Sequence, residues 1–297
     1  MSRSGPTLPW FMVQAMSPAT RPRRRAGDTL RRMPARLLAC PECGRPLRGD
    51  DEGVQCSDGH AFSLVAGIYD LWPRSVPLPG LDWFATPYGL LYDNGIKERW
   101  LGRLAGRFGW GTNIDRMYRM MDEGVKNRPG EVVLDVPVGG APPLRSAPGR
   151  LLGTYVGVDL SMEMLRRADR ERRAEGLRNV VLVRGDMTHL PLADRSVDRA
   201  LCFNGLHVIP QKAEALAELH RVLKPGGVLR GNAVVRDDSP RGRLLRPWFG
   251  RSWLFFHPAD PDELEGLARD AGFSEWEQER DGSMLYFEGR RAKPRRA

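Results

Sequence analysis

Two groups of residues in this chain have the types and spacing to do chemistry. The first is Asp135-Val136-Pro137-Val138-Gly139-Gly140-Ala141, a carboxylate and a glycine pair directly after the apolar run Val132-Val133-Leu134. A strand that runs into a glycine-containing turn and then a helix is where an α/β sheet docks a nucleotide-like cofactor, because glycine lets the backbone approach the ligand closely. Twenty residues past Gly139, the stretch Tyr155-Val156-Gly157-Val158-Asp159 ends a second apolar run on a carboxylate. Folds of this kind set such an acid against the hydroxyls of a cofactor ribose.

The second group is Cys40-Pro41-Glu42-Cys43-Gly44 followed by Cys56-Ser57-Asp58-Gly59-His60, a C-x2-C-x12-C-x3-H spacing. Three thiols and an imidazole supply the four corners of a tetrahedral zinc site, and Gly44 permits the turn that points backbone amides at the thiolates. Gly44, Pro46, Gly49, Asp50, Asp51 and Gly53 mark a tight hairpin between the halves. A redox Cys-x-x-Cys is the competing reading. No strand and helix of the thioredoxin kind flank it, and it leaves Cys56 and His60 unexplained. The predicted ligands are therefore Cys40, Cys43, Cys56 and His60. Four protein ligands leave no open position, so the Zn2+ is expected to be structural, folding a module too small to bury a core alone. Cys202, far off in an apolar run, reads as a buried, inert thiol.

The elements that must position these groups follow from periodicity. Strands are expected at Val132–Asp135, Tyr155–Val158, Val180–Arg184, Asp198–Cys202, Val228–Val235, Ser274–Arg280 and Met284–Glu288, with helices at 162–175, 211–223 and 261–271. Alternating strands and helices imply an α/β fold with a mainly parallel sheet covered on both faces. The last two strands, separated by Asp281-Gly282, read as a hairpin that adds an antiparallel strand. Upstream, Phe84–Asp93, Ile96–Phe108 and Ile114–Val125 show helical spacing through Leu90, Leu91, Leu101, Leu104, Ile114, Met117, Met120 and Met121. Tyr88, Tyr92, Trp110 and Tyr118 belong there either to the core or to a lid over the cofactor edge.

Charge is unevenly spread along the chain. Of the net +9, residues 1–36 hold +7 and residues 289–297 hold +5, which leaves −3 for 37–288. Arg- and Pro-rich ends of this kind are expected to be disordered, the alternative being contact with an anionic surface. A nucleic-acid enzyme calls for a basic stripe across its domain, so nucleic acid is the less favoured partner. No apolar run reaches the ~18 residues of a membrane span, and no secretion leader is evident. The expectation is a cytoplasmic protein, with Met33 as an alternative start and the Arg-rich leader as a possible organelle signal. The breaks divide the chain into a tail at 1–36, the zinc module at 37–72, a linker and helical cap at 73–128, the cofactor-type domain at 129–289 and a basic tail at 290–297.

The turn alone does not separate a dinucleotide from S-adenosylmethionine, but the motifs after it add specificity. They run Leu160-Ser161-Met162-Glu163-Met164-Leu165, Gly185-Asp186-Met187, Leu190-Pro191-Leu192, Ser196-Val197-Asp198 and Leu223-Lys224-Pro225-Gly226-Gly227. In this order they resemble the class I S-adenosylmethionine-dependent methyltransferases of the type 11 branch, over roughly 130–290. The resemblance implies a Rossmann-like, seven-stranded, mainly parallel sheet with helices on both faces, beside the small N-terminal zinc-binding module. It implies S-adenosyl-L-methionine as cofactor, and a small-molecule acceptor of the quinone, lipid or secondary-metabolite class.

Residue by residue, the amides of Gly139 and Gly140, at a helix head, would take the cofactor carboxylate, and Asp135 its ammonium. Asp159, with Leu160 beside it, would accept from the ribose hydroxyls, and Asp186 from the adenine amino group, with Met187 packing alongside. Phe203 and Asn204, at the carboxyl end of the fourth strand, complete the implied cofactor-binding set. His207, in Phe203-Asn204-Gly205-Leu206-His207, is the candidate base or substrate orienter, with a hydrogen-bonded wall residue as the alternative. The turn departs from acid-x-Gly-x-Gly-x-Gly at Pro137 and Ala141, and proline cannot adopt positive φ, so the turn must be rebuilt.

The zinc spacing resembles two methyltransferase groups. One is the bacterial 23S rRNA guanine-N1 enzymes. The other is a set of plant chloroplast and bacterial proteins, matched further by Phe84-Ala85-Thr86-Pro87, Leu91-Tyr92 and Gly205-Leu206-His207. The second match covers more of the chain. An rRNA guanine-N1 methyltransferase and a non-catalytic binding protein with a degenerate cofactor site remain as alternatives to the small-molecule enzyme.

Overall fold

The computed structural model describes residues 37–49, 53–73, 99–236 and 257–293. Val132, Val133 and Leu134 are buried without alternation, as a central parallel strand requires. Around β5 (Val132–Asp135) lie β6 (Thr154–Asp159) and β7 (Val180–Arg184) on one side and β8 (Val197–Phe203) on the other, all parallel. Next to β8 comes β9 (Leu223–Val234), also parallel, and then β11 (Met284–Arg291) and β10 (Phe273–Asp281), antiparallel. The chain turns back across the sheet between β5 and β8, which opens a crevice at their carboxyl ends.

Helices cover both faces. One face packs against α2 (Asp115–Gly124) and α3 (Met162–Ala174), the other against α4 (Lys212–Val222) and α5 (Pro261–Asp270). Ser161 caps α3, its hydroxyl accepting from the Met164 amide at 3.2 Å, and Asp260 caps α5 in the same way. Before α2 stands α1 (Arg99–Ala105), which continues as a wider π-helical turn over Gly106–Trp110. On α2 the methionine stripe is core: Met117, Tyr118 and Met121 are buried, and the Arg99 guanidinium lies 5.1 Å from the Tyr118 ring centre. Leu104, by contrast, is exposed. Tyr88, Tyr92, the expected helix at 84–93, the side chains of Leu101 and Trp110, and the tail at 1–36 lie outside the described residues. Among the described residues no helix is long and apolar enough to cross a membrane.

The N-terminal module is not a separate appendage. Its strands β1 (Arg48–Gly49), β2 (Gly53–Gln55), β3 (Ala61–Val65) and β4 (Ile68–Asp70) continue the seven-stranded sheet to eleven, through a parallel pairing of β4 with β7. Without β4, β7 would expose an unpaired edge, and strands this short bury little by themselves.

Two boundaries differ from expectation. The Pro225-Gly226-Gly227 turn is a bulge inside a continuous β9, where pairing passes from Val197↔Leu223 to Arg199↔Val228 and Gly226 adopts φ +81°. The last strand runs on to Arg291, whose guanidinium donates to the carbonyls of His220, Arg221 and Leu223 at 2.6, 3.0 and 2.9 Å. These carbonyls lie in the last turn of α4 and at the start of β9, where the helix supplies no amide partners of its own. Arg290 and Arg291 thus belong to the sheet and not to a tail.

Candidate cofactor cleft and metal centre

The turn after β5 is rebuilt around Pro137. The Val136–Pro137 peptide is cis, and Gly139 and Ala141 take φ +52° and +51°. The left-handed backbone usual for glycine is therefore kept at 141 by a buried alanine, at a cost of about 1 kcal/mol. Pro137 also explains Gly205: a Cβ there would lie 2.4 Å from Pro137 Cδ and 2.9 Å from Cys202 Sγ. Gly205→Ala is expected to lower unfolding free energy by about 1–3 kcal/mol, read from the shift of the denaturant midpoint.

The helix expected after the turn is a 3₁₀ turn of five residues, Pro142–Ser146. Proline at 142 and 143 suits a start, and Pro148-Gly149 ends it. So short an element contributes little dipole, which corrects the expectation of a helix head at the glycines. The Gly139 amide, moreover, donates to Asp159 Oδ2 at 2.8 Å instead of pointing outward.

Asp159 is 5% exposed and braces two segments, its other oxygen accepting from the Ser161 amide at 2.8 Å. Asp135, 4% exposed, accepts from the Tyr155 hydroxyl of the neighbouring strand. Burial pushes its carboxyl up to about 7, against the Tyr155 bond, with the Asp159 charge adding to the rise. Asp186, after β7, is half-buried and accepts from the Thr188 amide at 2.8 Å, with Met187 buried beside it. Leu160 is 42% exposed and Phe203 is buried. Asn204 adopts φ +55° and accepts from Asn232 Nδ2 at 2.8 Å. Asp186, Asp159, Asp135 and Asn204 thus cap four adjacent strands, in a row about 14 Å long at sheet spacing.

His207 stands at the same edge. It is 3% exposed, and its Nδ1 accepts from the Val234 amide at 3.1 Å. Burial, and then the Lys212 ammonium, push its pKa down to about 3. The imidazole is neutral with its proton on Nε2, and its basic nitrogen already holds a backbone donor. Through this bond His207 ties its loop to β9. Cys202 is fully buried, with burial pushing its thiol up to about 12, in keeping with an inert role.

The four metal-ligand candidates converge. Cys43 Sγ and Cys56 Sγ are 3.7 Å apart, and His60 Nδ1 is 3.6 Å from Cys40 Sγ and 3.4 Å from Cys56 Sγ. All four ligand atoms lie within 4.8 Å of one another. A tetrahedron with ~2.3 Å metal–sulfur arms has edges of ~3.7 Å, and a disulfide would need ~2.05 Å, so the donor set fits zinc. Gly44 and Gly59, at φ +71° and +88°, make the turns that bring each pair together.

Sequence reasoning missed Tyr155, Ser161, Arg184 and Asn232. Each had a faint signal: a hydroxyl within an apolar strand, a serine three residues before Met164, and an arginine and an asparagine inside strands. None of these signals names a partner.

Residues 134–230 match the family model described as a methyltransferase domain. An uncharacterized chloroplastic methyltransferase of Arabidopsis thaliana is 26% identical over 86% of this chain and 78% of its own length. A demethylmenaquinone methyltransferase of Geobacillus stearothermophilus is 38% identical, over 41% of this chain and 60% of its own length. Among solved structures, phosphoethanolamine N-methyltransferase 2 of Haemonchus contortus with S-adenosyl-L-methionine superposes with TM-score 0.57. At 16% identity, over 72% of this chain and 61% of that one, it speaks for the fold.

In its fold and in its matched central domain the chain is similar to the class I, Rossmann-like methyltransferases. The chain is similar both to plant chloroplast methyltransferases and, over its central domain, to demethylmenaquinone methyltransferases.

Proposed function

We propose that the protein transfers a methyl group from S-adenosyl-L-methionine to a small-molecule acceptor, with Zn2+ as a structural ion held by Cys40, Cys43, Cys56 and His60. The observation that carries this reading is the row of carboxylates at successive strand ends beside the glycine turn. Bound there, the cofactor would supply an electrophilic methyl on its sulfonium. Asp159 would accept from the ribose hydroxyls, Asp186 from the adenine amino group, and Asp135 from the ammonium. The Gly140 amide, with the backbone of the turn, would meet the carboxylate, and Leu160, Met187 and Phe203 would wall the cleft. Much of the rate then comes from holding the acceptor in line and excluding water.

On the acceptor side, Asn204 stands among sulfur and aromatic groups. Asn204 Nδ2 lies 3.6 Å from Met117 Sδ, and Phe203 and Met284 are buried nearby on β8 and β11. An amide in an apolar wall suits an apolar acceptor with a polar atom, and the −3 charge of residues 37–288 does not suit a polyanion. The quinone, lipid and secondary-metabolite classes all meet this description. The relatives named for demethylmenaquinone weigh toward the first.

Titration calorimetry with S-adenosylmethionine tests the reading; no affinity would refute it. The pH dependence is specific. Asp135 is raised above its unfolded value of ~3.9, so protonation favours the fold below that pH, and the benefit is lost as pH rises through 7. A cofactor ammonium favours the ionised form instead. Affinity is therefore expected to rise about tenfold per pH unit from 5 to 6 and to level off above 7. Binding at pH 6 should release close to one proton, measured by comparing heats in buffers of different ionisation enthalpy.

A further inference from the structure

The loop that carries Asp186 and Met187 is held at both ends by the metal module. At its start, Tyr69 and Asp70 of β4 pair with Val183 and Arg184 of β7, and the Leu71 amide donates to the Arg184 carbonyl at 3.0 Å. At its end, the Ala39 amide donates to the Pro191 carbonyl at 3.1 Å and the Ala193 amide to the Leu37 carbonyl at 2.9 Å. The next residue after Ala39 is Cys40. Between these pins the loop closes on itself, the His189 amide donating to the Asp186 carbonyl at 3.2 Å.

One cation joins the module to the other half of the cleft. Arg184 donates through Nε to the carbonyl of Leu160, the residue after Asp159, at 3.1 Å. Its guanidinium also lies 3.5 Å from the Asp70 carboxylate. Packing follows the same route: Leu38, Cys40, Cys56 and Phe62 share a core with Met187 and Leu192.

We infer that metal occupancy positions the adenosine half of the cleft, with Arg184 as a positioning residue, so that metal and cofactor bind cooperatively. This rests on the reading of Asp159 and Asp186 as cofactor ligands. The physical ground is the smallness of the module, whose strands are two to five residues long. Without a metal to fix the two turns, Leu37–Ala39 and β4 lose their anchor, and the loop at 185–191 loses the backbone bonds at both its ends. Coupling of this kind is reciprocal and commonly amounts to about 5–150-fold in affinity.

The full-length protein should be titrated with S-adenosylhomocysteine before and after stripping the metal with a chelator, with zinc counted by a chromogenic chelator. The expected result is affinity at least about fivefold weaker after stripping, faster amide exchange across 185–193, and slower zinc release in saturating S-adenosylhomocysteine. Arg184→Ala should weaken binding by a similar factor while retaining one zinc per chain, and Arg184→Lys should recover part of the loss. Affinity within about twofold in the stripped, folded protein, with zinc release indifferent to S-adenosylhomocysteine, overturns the coupling alone. If stripping unfolds the chain, zinc release and the Arg184→Ala titration decide on the same terms. No binding by the metal-loaded wild type overturns the cofactor-site reading as well.

Discussion

Asp159→Ala is expected to weaken S-adenosylmethionine binding by about 100-fold or more, since two charge-assisted hydrogen bonds to ribose at about 1.5–3 kcal/mol each would be lost. The structure adds a second loss. Asp159 accepts from the amides of Gly139 and Ser161, each at 2.8 Å, so its removal also frees the glycine turn from the start of α3. Asp159→Asn keeps the side-chain shape and one acceptor oxygen, but its Nδ2 then faces the Gly139 or the Ser161 amide, so part of the stability should be lost while affinity still falls steeply. Calorimetric affinity alongside thermal unfolding reads both. An Asp159→Ala protein that binds as the wild type does would remove Asp159 from the cofactor site.

Cys56→Ser is expected to abolish zinc retention and to lower the thermal midpoint by about 10 °C. Cys56 is buried, and its thiol lies 3.7 Å from Cys43 Sγ and 3.4 Å from His60 Nδ1, so its loss removes one corner of the tetrahedron. A structural zinc site contributes ~10–16 kcal/mol in isolated finger peptides. Here the module shares its core with the sheet, which retains some order without the ion. Losing about 3–5 kcal/mol gives the stated shift for a domain of this size. Cys202→Ala is the control. That thiol lies in the sheet core away from the cluster, so this variant should lose some stability and keep its zinc. Zinc counted at one per chain in Cys56→Ser would contradict the four-ligand assignment.

Local chemistry made much of the fold legible. Val132–Asp135 and Val180–Arg184 begin and end where the apolar runs do, because a strand buried on both faces needs unbroken apolar residues and nothing else competes for them. The cysteine and histidine cluster was legible for a similar reason: four donors at metal-ligand spacing, with glycines at the turns, leave few other uses. Strand ends and bulges were less so. Arg291 reads as one more basic residue near a chain end, and only the fold brings it to the carbonyls of His220, Arg221 and Leu223.

The same contrast runs through the site. Residue types and spacing by themselves determined that carboxylates end successive strands, that a glycine turn follows the first of them, and that three cysteines and a histidine at metal-ligand spacing precede the sheet. All of these depend on short-range backbone geometry. Only the tertiary structure decided that Gly139 turns its amide to Asp159, that Tyr155 shares its hydroxyl with Asp135, that His207 spends its basic nitrogen on Val234, and that β4 docks on β7. Each is a pairing between residues 20 or more apart in the chain. A donor does not record in its own sequence neighbourhood which acceptor burial will bring to it. The sheet makes that choice when it places distant strand ends side by side, where a polar group shut away from water must pair with whatever is adjacent.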